Sequence, residues 1–257
     1  KDLLLDEYKD SIRSKNPGGS IANSLFAAEN FGASTCFSCS IGDDEDGHLF
    51  LDSYSDKQKV FYNFSEEPTG VCLVFITPDG ERTMASNLSA NYQLNPQCIN
   101  SELLESCNYL LFDNFSLATN SGNKTAHYCL DNIKNEVKVC FGLADSKLVS
   151  ENLDKIQDLS NKTIHCLSGN KLEHDELDKN ISLSFQNRLI SNGVNGASIN
   201  GIQISAPKIK LVNTNGAGDS LIGAYIALEE EIGQEKALEE AVNYSSKVCS
   251  VNGPRLR

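Results

Sequence analysis

Short apolar runs alternate along this chain with stretches of helical periodicity, and that order constrains the fold more than any single segment. Residues 34–41, 109–112, 137–141, 162–167 and 188–190 are short and apolar with turn residues at their ends, so they read as strands. Residues 21–31, 124–133, 220–228 and 236–248 carry apolar positions three and four apart and read as helices. Gly32 stops the first, while Leu221, Ala224, Tyr225 and Leu228 line one stripe of the third. Residues 48–54 read as a further helix after an acidic turn, and residues 1–10 also look helical. Parallel strands need a crossover of a dozen or more residues, which an intervening helix supplies. The order therefore predicts an α/β fold with a mainly parallel sheet. Two hairpins are exceptions. Residues 69–77 alternate Val71, Leu73 and Phe75, turn at Pro78-Asp79-Gly80 and return through 82–85, standing apart from the main sheet; residues 196–204 form a shorter hairpin.

Composition narrows the class of partner. With 257 residues, 40% hydrophobic and 22% charged, the chain can bury a large core and suits one principal domain. A formal charge of -13 argues against affinity for nucleic-acid backbones or anionic membranes. It leaves room for a small anion, because backbone N–H groups bind phosphate inside acidic proteins. No apolar run is long enough to cross a bilayer, and Lys1-Asp2-Leu3 does not begin a secretory signal, so a soluble cytoplasmic protein with reduced thiols is expected. Cys36 and Cys39 form a CxxC inside a strand, where odd spacing sends them to opposite faces, and no second pair completes a zinc site.

The segment with most chemical content is Asn213-Thr214-Asn215-Gly216-Ala217-Gly218-Asp219-Ser220. Gly216, Ala217 and Gly218 leave the backbone open just before an apolar helix, where unpaired N–H groups and the helix field favour an anion. Asp219 falls in the first turn. There it is either a favourable helix-start charge or a carboxylate placed beside a phosphoryl group to accept an alcohol's proton. No GKS or GKT follows, so this is not a Walker A loop, nor is it GxGxxG. Gly18 and Gly19 at another helix start, with Asn23 one turn in, let backbone and amide approach a hydroxylated ligand, or simply cap the helix. Ser191, Gly193 and Gly196 lie in a turn after a strand. Asn170 and Glu173 are three apart, either on solvated surface or holding waters of a magnesium ion.

Taken in order, these segments resemble the ribokinase-like, or PfkB, family of carbohydrate and nucleoside kinases. Gly18, Gly19 and Asn23 resemble its glycine pair and substrate-binding asparagine. Residues 41–47 resemble its IGxDxxG turn, and Thr69-Gly70 begins a strand similar to one that feeds the lid. Asn170 and Glu173 match NxxE, Ser191–Gly196 resembles TxGxxG with serine for threonine, and Gly216–Asp219 matches GAGD. The resemblance spans residues 15–257, with GAGD its most specific motif.

The resemblance implies a three-layer α/β/α fold over 1–257 with a small β lid inside 10–20 and 61–92. It also implies ATP, Mg2+ and a monovalent cation such as K+, with a monomer or a lid-mediated homodimer. Gly216, Ala217 and Gly218 would form the anion hole and Asp219 the base; Gly18, Gly19 and Asn23 would hold the acceptor. Ser191, Gly193, Gly196 and Asn243 would lie at the nucleotide, and Asn170 and Glu173 would act on magnesium through water. Arg82 reads as a lid residue or a solvated turn charge. Residues 68–72 and 214–216 look closest to adenosine kinases, so the expected acceptor is the adenosine 5′-hydroxyl. A sugar kinase for ribose or fructose and a catalytically weakened nucleoside-binding protein are the alternatives. Nothing before Gly18 matches the family's first strand, the stretch between Glu173 and Ser191 is short, and Asn213 stands where an aspartate is common.

Overall fold

The structure, a computed structural model, describes residues 7–54, 59–76 and 82–256. The expected turn at 78–80 and most of the helix expected over 1–10 lie outside the described residues, as does the side chain of Arg82. The chain runs α1 (Ser20–Asn30), β1 (Cys36–Gly42), α2 (Glu45–Leu51), β2 (Lys59–Ser65), β3 (Val71–Ile76) and β4 (Arg82–Asn87). It continues through α3 (Ser101–Ser106), β5 (Tyr109–Asp113), α4 (Asn114–Leu117), α5 (Asn120–Asn132), β6 (Lys138–Gly142), α6 (Ser146–Glu151) and α7 (Leu153–Asp158). Then follow β7 (Ile164–Asn170), α8 (Lys171–Asn180), β8 (Phe185–Ser191), β9 (Ala197–Ile199), β10 (Ile202–Ile204), α9 (Ala217–Ile232) and α10 (Gln234–Val248).

Six strands form the central sheet in the order β10-β9-β8-β7-β6-β5. β5 to β8 are parallel, and β9 and β10 add antiparallel at the far edge, as the expected hairpin. Asn200 and Gly201, with φ of 48° and 89°, make its turn. Val139 and Phe141 pack into a layer with Leu117, Leu130 and Leu177, while Cys140 faces α9 and α10 through Leu221, Tyr225 and Leu238. Apolar residues therefore cover both faces of the sheet, as parallel strands require. This is the three-layer arrangement with a mainly parallel centre.

β1 and β2 form a separate parallel pair, and β3 and β4 a separate antiparallel hairpin. Among the described residues no strand pairs with the second edge of β1 or of β5. Residues 61–65, expected in the lid, belong to β2 and pair with β1, and β3–β4 forms a hairpin of its own. Residues 12–19 form no helix or strand. The acidic turn is tighter than expected. Asp44 accepts from Gly47 N at 2.8 Å, so α2 begins at Glu45 rather than His48. Asp44 also accepts from Thr69 N and Oγ1 at 2.8 and 2.6 Å, which ties the start of α2 to the entry of β3. No helix in the described residues is long and apolar enough to cross a membrane.

Candidate active site

The site lies where α1 and α9 begin, beside the C-terminal ends of the parallel strands. In an open α/β sheet this is the end at which side chains and loops surround a crevice. Gly223 decides how closely the two helices approach. A Cβ there would overlap the Ser24 carbonyl oxygen of α1. That close crossing brings Ser20 and Asn23 to Asp219. Ser20 Oγ donates to Asp219 Oδ1 at 2.9 Å, and Asn23 Nδ2 donates to Oδ2 at 2.8 Å.

The turn ahead of Asp219 is shaped by Gly216, whose φ is 74°. A side chain on it would collide with Pro254 of the C-terminal segment. Ala217 N donates to Thr214 O at 3.3 Å, so it is already occupied. Gly218 N and Asp219 N are first-turn donors that no carbonyl within α9 can satisfy. Nothing lies within 4 Å of the position a Gly218 Cβ would take. An anion can therefore approach two backbone donors at the positive end of a 16-residue helix.

The electrostatics around Asp219 are those of a restrained carboxylate. Burial pushes its carboxyl up to about 6; the bonds from Asn23 and Ser20 oppose the rise, nearby Asp113 adds to it, and Arg255 lowers it. Asp113 ends β5, is 4% exposed, and accepts from Ser116 N and Oγ at 3.1 and 3.2 Å; burial raises its carboxyl as well.

The expected residues divide into two groups. Gly18, Gly19, Asn23, Gly216 and Asp219 line one large cleft, together with Asp113 and Thr214. Ala217, Gly218, Asn170, Glu173, Ser191, Gly193, Gly196 and Asn243 do not line it. Asn23 is buried, with both ends of its amide bonded inside the protein. Ser191 ends β8, and Gly193 and Gly196 bound the turn after it, where Asn192 N donates to Gly196 O at 2.8 Å. Asn243 is half-buried on α10.

Asn170 and Glu173 are not solvated surface. They form a reciprocal cap at the start of α8: Glu173 N donates to Asn170 Oδ1 at 3.0 Å, and Asn170 N donates to Glu173 Oε2 at 2.8 Å. Asn170 Nδ2 takes the other carboxylate oxygen at 2.6 Å. Glu173 is 7% exposed, and burial raises its carboxyl. Each carboxylate oxygen of Glu173 accepts one internal bond and keeps a lone pair, which suits contact with a magnesium ion through water. Among the described residues no group of three or more His, Cys, Asp or Glu is arranged to hold a metal ion. The first-turn N–H groups of Gly218 and Asp219 suit an anion such as a polyphosphate.

Ser20, Asp113 and Arg255 were missed in the sequence. A cap pattern, Asp113-Asn114-Phe115-Ser116, was the available signal for Asp113. Arg255 carried none, since its partner Asn23 is 232 residues away.

Comparison with known proteins agrees with this fold. The chain is 27% identical over 252 residues to "Probable fructokinase-2" of Arabidopsis thaliana, covering 88% of this chain and 75% of the relative. The crystal structure of a "probable sugar kinase protein" from Rhizobium etli superposes with a TM-score of 0.90 at 18% identity, covering 98% of this chain and 83% of that one. Adenosine kinase from Sinorhizobium meliloti superposes at 0.87 with 17% identity, covering 99% and 84%. At these identities the two structures speak for a shared ribokinase-like fold. Residues 8–256 match the pfkB family carbohydrate kinase, so the chain belongs to that family of ATP-dependent phosphotransferases acting on an alcohol group.

Proposed function

We propose that this chain transfers the γ-phosphate of ATP to a primary hydroxyl of a ribosyl substrate, adenosine at its 5′-oxygen being the first candidate. The observation that carries the reading is Asp219, held by Ser20 and Asn23 at the head of α9 beside two first-turn backbone donors that no carbonyl within the helix satisfies. ATP supplies the phosphoryl group. Asp219 accepts the proton of the attacking hydroxyl, and the N–H groups of Gly218 and Asp219 meet negative charge on the transferring oxygens. Gly18 and Gly19 form the acceptor wall opposite, and Asn23 acts there by holding Asp219. A carboxyl pushed up to about 6 is ionised at neutral pH yet basic enough to take a proton. Ser191, Gly193, Gly196 and Asn243 form the nucleotide side of this reading. Asn170 and Glu173 serve it as the fixed cap of α8, with no ligand bond to magnesium.

A second reading, a hexose acceptor such as fructose, is favoured by the fructokinase named among the sequence relatives. One assay decides between them. The chain is incubated with Mg-ATP, with and without K+, against adenosine, other nucleosides, ribose and fructose, and phosphorylated product is measured. Adenosine 5′-phosphate as the preferred product supports the first reading, and fructose phosphate the second. ATP or nucleoside binding with no product from any acceptor rejects both in favour of a weakened binding protein. Asp219→Asn is expected to lower kcat by roughly 10²–10⁴ while nucleotide still binds. Near-native turnover in that variant removes Asp219 from the role of base.

A further inference from the structure

Arg255 lies seven residues past the end of α10, in a stretch without helix or strand, and is only 8% exposed. Its Nε donates to Asn23 Oδ1 at 2.8 Å, and its other nitrogens donate to Gly18 O at 3.2 Å and Ser53 Oγ at 3.4 Å. The guanidinium also faces the rings of Phe26 and Tyr54, 5.4 and 5.6 Å from their centres. We propose that Arg255 is a positioning residue for the reaction: by fixing the orientation of the Asn23 amide, it presents a donor to Asp219.

The polarity of the chain of contacts leaves one arrangement. A guanidinium has donors only, and an ionised carboxylate has acceptors only. Asn23 sits between them, 5% exposed, with Oδ1 toward Arg255 and Nδ2 toward Asp219. Turned over, the amide would set its oxygen against the carboxylate and its NH2 against the guanidinium, a clash on both sides. Arg255 therefore dictates which atom of Asn23 meets Asp219, and adds a buried positive charge to the same side.

The segment that carries Arg255 also supports the glycine turn. Val212 N and Asn213 N donate to Cys249 O at 2.9 and 3.2 Å, and Pro254 packs where a Gly216 side chain would stand. Asn213 Nδ2 donates to Gly253 O at 3.3 Å and to Val251 O. An aspartate at 213 has no N–H for these bonds, so the asparagine suits a turn braced by this tail. Among the described residues, the charged groups that act on Asp219 are Asp113 at the end of β5, which raises its carboxyl, and Arg255, which lowers it, alongside the neutral Ser20 and Asn23 of α1.

This inference rests on Asp219 acting as the base, and its test separates the two. kcat/KM is measured from about pH 5.5 to 9 for the native chain, R255M, R255Q, R255K and D219N, using Mg-ATP and the acceptor identified above. Titration of the nucleotide is common to all and cancels in the comparison. The neutral variants are expected to move the acid limb upward by about one pH unit, which is roughly a fivefold loss at pH 6, approaching tenfold below it. The loss at pH 9, where Asp219 is ionised in every case, is expected to be much smaller. R255K keeps a donor-only cation and is expected to stay within a few tenths of a unit of the native limb. A thermal melt identifies which neutral variant folds, and either one suffices. A neutral variant whose limb coincides with the native one, with activity lowered evenly at every pH, makes Arg255 a purely structural residue and overturns the proposal. Near-native turnover in D219N instead overturns the base assignment beneath it.

Discussion

At the scale of single residues, the carboxyl of Asp219 sets a conflict between stability and chemistry. Burial and Asp113 raise it to about 6 from an ordinary value of 3.8, despite the bonds from Ser20 and Asn23. A carboxyl raised on folding binds its proton more tightly in the folded chain than in the unfolded one. Its contribution to stability is fully present below the ordinary value and is lost as pH rises through the folded one. The window is therefore pH 3.8 to about 6, and above it the ionised form carries the full cost. Asp219→Asn removes that cost. At pH 8 the variant is expected to be more stable by about 1 kcal/mol, roughly 2–4 °C in Tm, with the gain vanishing toward pH 4. Melts at both pH values check this, and a variant less stable at pH 8 contradicts it. Asp219 was legible in the sequence because its chemistry is announced locally, by glycines and a helix start. Asp113 was legible only as a helix cap, and Arg255 not at all. What makes each a site residue is the partner that folding brings to it, and no spacing along the chain encodes that.

Among the elements, the pairing of α1 with α9 does most to assemble the site. Gly223 permits backbone contact with Ser24, so that the first turns of the two helices share Asp219. Adding one methyl group at this point forces the helices apart. Gly223→Ala is expected to cost about 1–3 kcal/mol by overpacking and to lower kcat as the Ser20 and Asn23 bonds lengthen. Urea titration and steady-state rates together check it. Unchanged stability with unchanged kcat shows that the helices can separate freely. The helices themselves were legible because α1 and α9 present apolar residues at helical spacing. β2 was not, for a specific reason: its outward positions Tyr62 and Phe64 are aromatic and 44% and 46% exposed. Aromatic residues on both faces erase the polar alternation that marks a half-buried strand. α2 began three residues early because a side-chain cap, Asp44, outweighed the apolar pattern.

Across the whole molecule, α9 joins two carboxylates whose environments oppose each other. Asp219 stands at its first turn, and Glu229 lies about 15 Å further along the helix. Tyr109, Lys138 and His165, near the starts of β5, β6 and β7, surround Glu229 at the end of the sheet away from the site. Tyr109 OH donates to Glu229 Oε1 at 2.9 Å, His165 Nε2 lies 2.5 Å from the same oxygen, and Lys138 Nζ lies 3.7 Å away. Burial pushes the Glu229 carboxyl up, but His165, Tyr109 and Tyr225 outweigh it and hold it below the ordinary 4.5. The sign is thus the reverse of that at Asp219: Glu229 contributes stability above pH 4.5 and loses it as pH falls through its lowered value. Glu229→Gln keeps the shape and removes the charge from a buried set of donors. It is expected to cost about 3 kcal/mol at pH 7 and less near pH 4. Turnover per folded molecule is expected to be unchanged, since Glu229 itself touches neither the glycine turn nor the cleft. Urea unfolding at the two pH values, with kcat normalised to the folded fraction, separates these effects. Glu229→Gln then weakens the fold and spares the chemistry, while Asp219→Asn strengthens the fold and removes the chemistry. If both variants move stability in the same direction at pH 7, the two ends of α9 do not differ in the way their surroundings require.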